Sequence, residues 1–266
     1  MDRAERLLGA LDERVRTWGG PVEWHDSLAS TNDSLKERAR RKAPEWTTLL
    51  ADRQTGGRGR SGRAWASPAG GLYVSVLLRP AFEAVGLLPL AAGVGVAEAA
   101  AEQGVVAELK WPNDVLARGR KLGGILAEAS SAAGGVEWVV VGVGVNVRVP
   151  PDALPPEVRA AATSIVAEGG EGATVEDVAV AVLARLRVWY DRLDSRPDAV
   201  VEAWRSHAVR WWGTPAEVRT STGIVRGRLR DVDARGALLL DLDDGRTRRV
   251  LSGEVTRVRR VETTGR

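Results

Sequence analysis

The chain contains no cysteine. That absence excludes disulfides, thiol nucleophiles and every zinc site built on thiolates. Histidine is nearly as scarce: His25 and His207 lie far apart, which leaves almost no material for an imidazole-held metal cluster or a Ser/His/Asp triad. Lysine is confined to Lys36, Lys42, Lys110 and Lys121 in a chain with 38 basic residues, so arginine carries most of the positive charge. Where arginine is so preferred, a retained lysine points to a need for a compact ammonium, although chance retention is the simpler reading of Lys36 and Lys42. The apolar stretch LLPLAAGVGVA ends at Glu98, short of the roughly 20 residues of a membrane helix, so no membrane partner is expected. The opening MDRAERLLGALDERV mixes acids with bases and lacks the apolar run of a signal peptide. A cytoplasmic protein is expected. Charge of one sign is also lacking: 38 basic against 35 acidic residues leave a net +3, weak support for a nucleic-acid partner.

What is present is the profile of a soluble globular protein with a sizeable core, 44% hydrophobic and 27% charged over 266 residues. Residues 3–16 set Leu7, Leu8, Leu11 and Val15 on one helical face. A short strand over 22–24 follows, and Ser30 or Thr31 then caps a helix reaching about residue 41. Residues 49–52 read as a strand entering an irregular loop, 54–63, and 71–79 as a buried strand. An Ala-rich helix over about 85–103 tolerates Pro89 near its start. Between 107 and 149, strand-like text (AELKW, DVLA, KLGGILAEAS, VEWVVVGVGVNVRV) alternates with the turns PND, RGR and AAGG, predicting an antiparallel meander packed on helices. Past a Pro-rich loop, PPDALPPE, the helical period returns over 174–193 and about 198–208. From Gly213 onward, short strands alternate with glycine turns at Thr222-Gly223, Arg235-Gly236 and Asp244-Gly245, the pattern of a small β-barrel. The expected fold class is α+β, with a main domain over 1–211 and a small C-terminal β-barrel over 212–266.

Four segments have the composition of a chemical site. In Gln54-Thr55-Gly56-Gly57-Arg58-Gly59-Arg60-Ser61-Gly62-Arg63, followed by Trp65, glycines let the backbone approach a ligand, and interleaved arginines supply planar forks matched to phosphate oxygens. Such a loop can wrap a polyphosphate; a solvated basic loop or an Arg-Gly nucleic-acid contact fits the composition as well. It is not a Walker loop, since no GK[ST] follows. The second segment, Lys110-Trp111-Pro112-Asn113-Asp114, precedes Lys121-Leu122-Gly123-Gly124. If 115–118 and 121–126 pair as a hairpin, the Asp114 carboxylate and the Lys121 ammonium come close; a structural turn with a surface ion pair is the plainer alternative. Gly123 and Gly124 in mid-strand cost stability and mark close approach of a ligand or backbone. Capping alone accounts for Ser30-Thr31-Asn32, and a thin strand against a helix accounts for Gly142-Val143-Gly144-Val145-Asn146.

Taken in order, STN, Q-x-x-GRGR-x-GR-x-W, KWPND, RKLGGIL and GVGVN resemble the biotin protein ligases over nearly the whole chain. The resemblance implies a class II aminoacyl-tRNA synthetase-like, biotin/lipoate ligase fold with an SH3-like C-terminal barrel. It implies joining biotin to ATP, with magnesium, to give biotinyl-5′-AMP, and transfer to a lysine of a biotin carboxyl carrier domain. Some members carry an N-terminal winged-helix DNA-binding domain. With fewer than 30 residues before Ser30 the chain resembles the shorter form, and no DNA partner is expected. Gly56 and Gly123 stand where alanine is frequent in the family.

The same resemblance distributes roles. Biotin's ureido head falls to Ser30, Thr31 and Gln54 beside Asn32, and its tail to Gly124, Gly144 and Leu126. Gly57, Arg58, Gly59 and Arg60 close over ring and tail, while Arg58, Arg60 and Arg63 face phosphates. Trp65 stacks on adenine, Asn113, Asp114 and Asn146 contact the adenylate, and Lys110 meets the outer phosphates with magnesium. Lys121 is the catalytic residue, touching both the biotin carboxylate and the α-phosphate. Two alternatives stay open. A lipoate/octanoate-protein ligase shares the fold but would lack the GRGR loop and STN, and an Arg-Gly nucleic-acid-binding protein would need more net charge and more aromatics beside the loop. The free 55–65 loop, glycine-rich and self-repelling, is expected to be mobile until a ligand orders it.

Overall fold

The computed structural model describes residues 1–15, 17–132 and 135–258. Arg16, the middle of the AAGG turn (133–134) and the end of the expected barrel domain (259–266) lie outside the described residues. Helix α1 (Arg3–Val15) buries Leu7 and Leu11, and is followed by strand β1 (Val22–His25). Ser30, rather than Thr31, caps α2 (Thr31–Arg40): its side chain accepts a hydrogen bond from the Asp33 N–H. Strands β2 (Thr48–Ala51) and β3 (Gly71–Leu78) are buried along their whole length. The loop between them is not wholly irregular, since Arg60–Gly62 form one 3-10 turn with Ser61 and Gly62 at φ 57° and 74°.

Helix α3 (Leu88–Glu102) starts three residues later than expected because a 3-10 turn, Glu83–Leu87, precedes it. Its apolar residues run all round, as a helix enclosed on every side requires. The segment Glu83–Glu102 reaches a mean hydropathy of 1.7 and is long and apolar enough to cross a membrane by composition, which corrects the expectation that no segment is. Two thirds of that apolar window is buried in the protein (67%), so the helix serves as core.

Strands β4 (Glu108–Lys110), β5 (Asp114–Ala117), β6 (Arg120–Ala132) and β7 (Gly135–Asn146) form the expected antiparallel meander. It does not stand alone: β7 pairs with β3, giving a seven-stranded sheet in the order β1-β2-β3-β7-β6-β5-β4. Only β1 and β2 run parallel, so the sheet is mixed. The Pro-rich loop contains a short helix, α4 (Pro156–Arg159); α5 (Val175–Ser195), capped by Thr174, and α6 (Pro197–His207) complete the helices. Helix α2 covers one face of the sheet through Leu35, Ala39, Leu49, Leu77, Trp138 and Val140. The other face belongs to the main core, to which α1, α3 and α5 contribute.

Strands β8 (Pro215–Thr220), β9 (Gly223–Val232), β10 (Leu238–Asp241), β11 (Thr247–Val250) and β12 (Glu254–Val258) make a second, five-stranded antiparallel sheet in the order β11-β10-β9-β8-β12. Its glycine turns fall where the sequence puts them, and Gly236 and Gly245 take φ of 80° and 81°. No ladder joins β11 to β12 among the described residues, so hydrogen bonding does not close a barrel there. Val218, Leu229, Leu238 and Leu240 belong to the same buried cluster as α3 and α5, and Trp111 Nε1 donates to Gly236 O at 3.0 Å. The second sheet is thereby anchored on the first.

Candidate active site

On the side of the large sheet that α2 covers, the N-terminus of that helix borders a cavity of about 350 Å³. Glycines make the room. A Cβ at Gly142 would stand 2.1 Å from Asn32 Oδ1, and one at Gly144 would stand 2.7 Å from Trp65 Nε1. Gly124 pairs directly with Gly144, and the Trp65 indole lies against both. The stretch that reads as a thin strand is thus a floor cut to fit two side chains from elsewhere.

One end of the cavity is polar and uncharged. Ser30, Thr31 and Asn32 are buried there. Gln54 Oε1 accepts from Thr31 N–H at 2.8 Å and from Thr31 Oγ1 at 3.1 Å, while Gln54 Nε2 donates to Ser67 Oγ at 2.9 Å. Asn32 Nδ2 donates to Leu126 O at 3.2 Å and to Glu128 Oε2 at 2.9 Å. Beneath them Ser75, fully buried in β3, reaches Thr31 Oγ1 at 2.8 Å and Asn32 Oδ1 at 2.6 Å. Sequence reading missed Ser75, which carries no signal inside an apolar strand.

Cations gather at the other end, around Lys121, Arg60 and Arg63, and on the rim beside Asn32, around Arg58 and Lys36, each facing a carboxylate or a carbonyl. Lys121 Nζ lies 2.6 Å from Asp114 Oδ1 and 5.3 Å from the centre of the Trp65 ring. The hairpin required for that pair is the observed one, with Leu116 opposite Lys121. Arg58 bonds Asp33 at 2.6 Å and Glu128 at 2.9 Å. Lys36 joins the same cluster, 2.8 Å from both Asp33 and Glu128. Arg60 reaches Ser252 Oγ at 3.0 Å and Gly253 O at 3.3 Å, and Arg63 pairs with Glu254 at 2.6 Å. These partners relieve the mutual repulsion expected of the free loop. Burial, then the charge of Arg63, lowers the Arg60 pKa from its ordinary value, against the pull of Asp114 and Glu254. Burial alone would raise the Glu128 carboxyl; hydrogen bonds from Lys36 and Asn32 and the nearby charges outweigh it and hold the group below the usual carboxylate range.

Every sequence-predicted site residue lines the cavity except two. Gly57 packs beneath it, where a Cβ would meet Ser67 Oγ and Trp65 O at 2.5 Å. Lys110 points its ammonium at Asp114, 3.7 Å away, from outside the lining. Leu154, Val158, Ala161 and Ala162 form a wall that sequence reading left as a connecting loop, and Glu254 comes from the second sheet. The proline spacing of PPDALPPE marks a shaped loop but not what it faces. Two lining residues carry buried polar atoms without a hydrogen-bond partner, Trp65 Nε1 and Asn146 Oδ1. Unpaired polar atoms on a cavity wall call for a ligand or water. Among the described residues no cluster of three or more carboxylates or imidazoles is placed to hold a metal ion.

Residues 24–146 match the Biotin/lipoate A/B protein ligase family, and residues 214–257 match the Biotin protein ligase C terminal domain. The biotin–[acetyl-CoA-carboxylase] ligase of Mycobacterium tuberculosis is 35% identical over 277 residues, covering 97% of this chain and 100% of that protein. The bifunctional ligase/repressor BirA of Bacillus subtilis is 34% identical over 237 residues, 87% of this chain and 73% of the relative. The structure of the Aquifex aeolicus biotin protein ligase in complex with biotin and ATP superposes with a TM-score of 0.77 at 32% identity, covering 90% of this chain and 99% of that one. The mixed sheet packed against helices is the fold shared with the biotin protein ligase structures, and it places the chain among the biotin/lipoate ligases. Within that class, the chain belongs to the biotin protein ligase family.

Proposed function

We propose that the uncharged end of the cavity binds biotin and the charged end binds ATP. The enzyme joins the two as biotinyl-5′-AMP, releases pyrophosphate and passes biotin to a lysine of a biotin carboxyl carrier domain. The observation that carries the division of labour is the Lys121–Asp114 pair on the cavity wall, beside the Trp65 ring. Attack of the biotin carboxylate on a phosphate is opposed by charge, and a preorganised ammonium lowers that barrier as charge builds on the phosphoryl oxygens. Lys121 is the group assigned to this task. Asp114 orients it.

Biotin's ureido ring offers two N–H donors and one carbonyl acceptor, which Ser30, Thr31, Asn32 and Gln54 can match without a charge. Gly124, Gly144 and Leu126 leave an apolar surface for its tail. Arg58, Arg60 and Arg63 exchange their present carboxylate and carbonyl partners for phosphates, with Lys110 held in reserve on Asp114. Trp65 and the wall of Leu154 and Val158 supply the aromatic and aliphatic surfaces a purine needs, with Asn113 and Asn146 as polar contacts. The expected magnesium finds no group of three or more ligating side chains among the described residues and would enter on the nucleotide's own phosphates. Residues 1–211 are assigned to catalysis, and 212–266 to assistance with ATP or the carrier, a reading supported by the reach of Ser252, Gly253 and Glu254 to the arginine loop.

The test is pyrophosphate release with ATP and biotin, lipoate or octanoate supplied separately. Release with biotin, followed by label transfer to a carrier domain, is expected. Release with lipoate or octanoate and none with biotin would overturn the reading.

A further inference from the structure

Glu168 is the only charged residue buried among the described ones, at 7% exposure, and it lines no part of the cavity. Its Oε1 accepts from Thr163 Oγ1 at 2.5 Å and from Arg120 Nη2 at 2.7 Å. Its Oε2 has no aligned donor, with Arg118 Nε 3.3 Å away. Arg118 lies in the β5–β6 hairpin turn, where it and Gly119 take φ of 47° and 75°, and Arg120 opens β6. Burying a carboxylate is expensive, and its partners stay largely in water, Arg120 at 46% and Arg118 at 80% side-chain exposure, so a well-packed apolar side chain would stabilise the fold as well. The arrangement asks for another reason.

That reason lies one residue beyond Arg120. Lys121 sits beside an irregularity in the β5–β6 ladder, where Val115 faces Gly123 but Leu116 faces Lys121. A bulge re-aims side chains and weakens the register that holds them. On its other side the Lys121 main chain is clamped by 161–163: its N–H donates to Ala161 O at 2.7 Å, and Thr163 N–H donates to its carbonyl at 2.9 Å. Thr163 is fixed in turn by Asn146 Nδ2, which donates to its carbonyl at 2.9 Å, and by the Glu168 carboxylate. Lys121, Thr163, Glu168 and Arg120 thus form a closed ring of contacts. The same segment carries Ala161 and Ala162 on the cavity wall.

We propose that Glu168 is a positioning residue for adenylation: acting through Thr163 and Arg120, it sets the height of Lys121 in the cavity and the distance of the 161–162 wall from it. The proposal rests on the reading of Lys121 as the reacting ammonium. The Lys121 ammonium is tied to Asp114 at 2.6 Å across the irregular ladder, so a shift of its main chain strains or re-aims that pair, and a misplacement of about 1 Å can cost about a hundredfold in rate.

The experiment compares single-turnover formation of biotinyl-adenylate with biotin affinity measured by calorimetry without ATP. Glu168→Ala and Thr163→Val should each slow adenylation about tenfold to a hundredfold while lowering biotin affinity by less than about threefold, since the ureido contacts stay in place. Thr163→Ser should restore the rate, and Glu168→Gln, which keeps an acceptor for Thr163 but loses the charge for the arginines, should fall between. In a Lys121→Ala background Glu168→Ala should add no further loss, a result that a purely structural role would not produce. Should Glu168→Ala fail to fold, Glu168→Gln and the Thr163 pair carry the same comparison. Full adenylation rates in folded variants, or a loss undiminished in the Lys121→Ala background, would overturn the proposal and leave the reading of Lys121 intact. A full rate in Lys121→Ala alone would overturn both.

Discussion

The two ends of the cavity are built on opposite plans. At the neutral end Thr31, Asn32 and Gln54 are held by hydrogen bonds among themselves, to Ser67 and to Ser75 in the large sheet, and Ser30 accepts from the Asp33 N–H. At the charged end Arg60 and Arg63 sit on a glycine-rich loop and lean on Ser252, Gly253 and Glu254 at the start of β12, while Arg58 of the same loop pairs with Asp33 and Glu128 beside Asn32. A neutral ligand offers little Coulomb energy, so its site must be preorganised, with polar groups fixed before it arrives. A polyphosphate offers enough to displace weakly held carboxylates, since exposed ion pairs contribute little by themselves. The comparison predicts that the neutral end fails when its shape is disturbed and the charged end when its charges are screened.

The largest effect is expected at the junction of the two ends. Lys121→Ala should leave the fold intact by circular dichroism and lower adenylation by about a hundredfold or more in single-turnover assays, the scale of losing one charge-stabilising donor. Near-normal adenylate formation would take Lys121 out of the chemistry.

A smaller and more local effect belongs to the neutral end. In Gly142→Ala the new methyl would start 2.1 Å from Asn32 Oδ1, so Asn32 must leave its place over the strand. Biotin affinity should drop about tenfold, from an overpacking cost of about 1–3 kcal/mol, with ATP affinity little changed. Calorimetry with each ligand checks this, and equal losses for both would mean the ends are not independent.

Ionic strength should separate the ends without any substitution. Between low and physiological salt the KM for ATP is expected to rise severalfold, because the arginine loop and its phosphates are partly exposed and screened. The KM for biotin, set mainly by neutral contacts, should move less. An equal rise would place the binding energy for both ligands in the same charges.

The smallest effect concerns Glu128, which links the two ends through Asn32 and Arg58. Its pKa is depressed in the folded protein, so its contribution to stability is present above the unfolded value of about 4.3 and is lost as pH falls through the lower folded value. Melting temperature should therefore fall on acidification below about pH 5, and Glu128→Gln should flatten part of that fall. Identical acid profiles for the two proteins would show that Glu128 carries no net linkage.

Much of this was legible from residue order. The cap at the start of α2, the glycine turns of the second sheet and the Asp114–Lys121 hairpin all follow from local chemistry, since capping, positive φ and strand pairing act within a few residues. The missed features involve distant residues. Ser75 reads as an apolar strand member, Lys36 as a lysine retained by chance and Glu168 as one acid among 35, yet each touches groups brought near by folding. The Pro-rich loop declares a break in helix and strand but not the cavity that Leu154 and Val158 wall.

The amino-acid sequence by itself determined the class of fold, the order of most elements and the residue types at the site, because periodicity, turn chemistry and motif order need no knowledge of what lies across the molecule. Only the tertiary structure decided that Gly142 and Gly144 exist to admit Asn32 and Trp65, that the cations already hold carboxylate partners, and that the second sheet reaches the arginine loop. It also set the main chain of Lys121 between β5 and the segment tied to Glu168. These are contacts between groups tens of residues apart. Their distances are fixed by how the sheets and helices pack, and no local pattern encodes them.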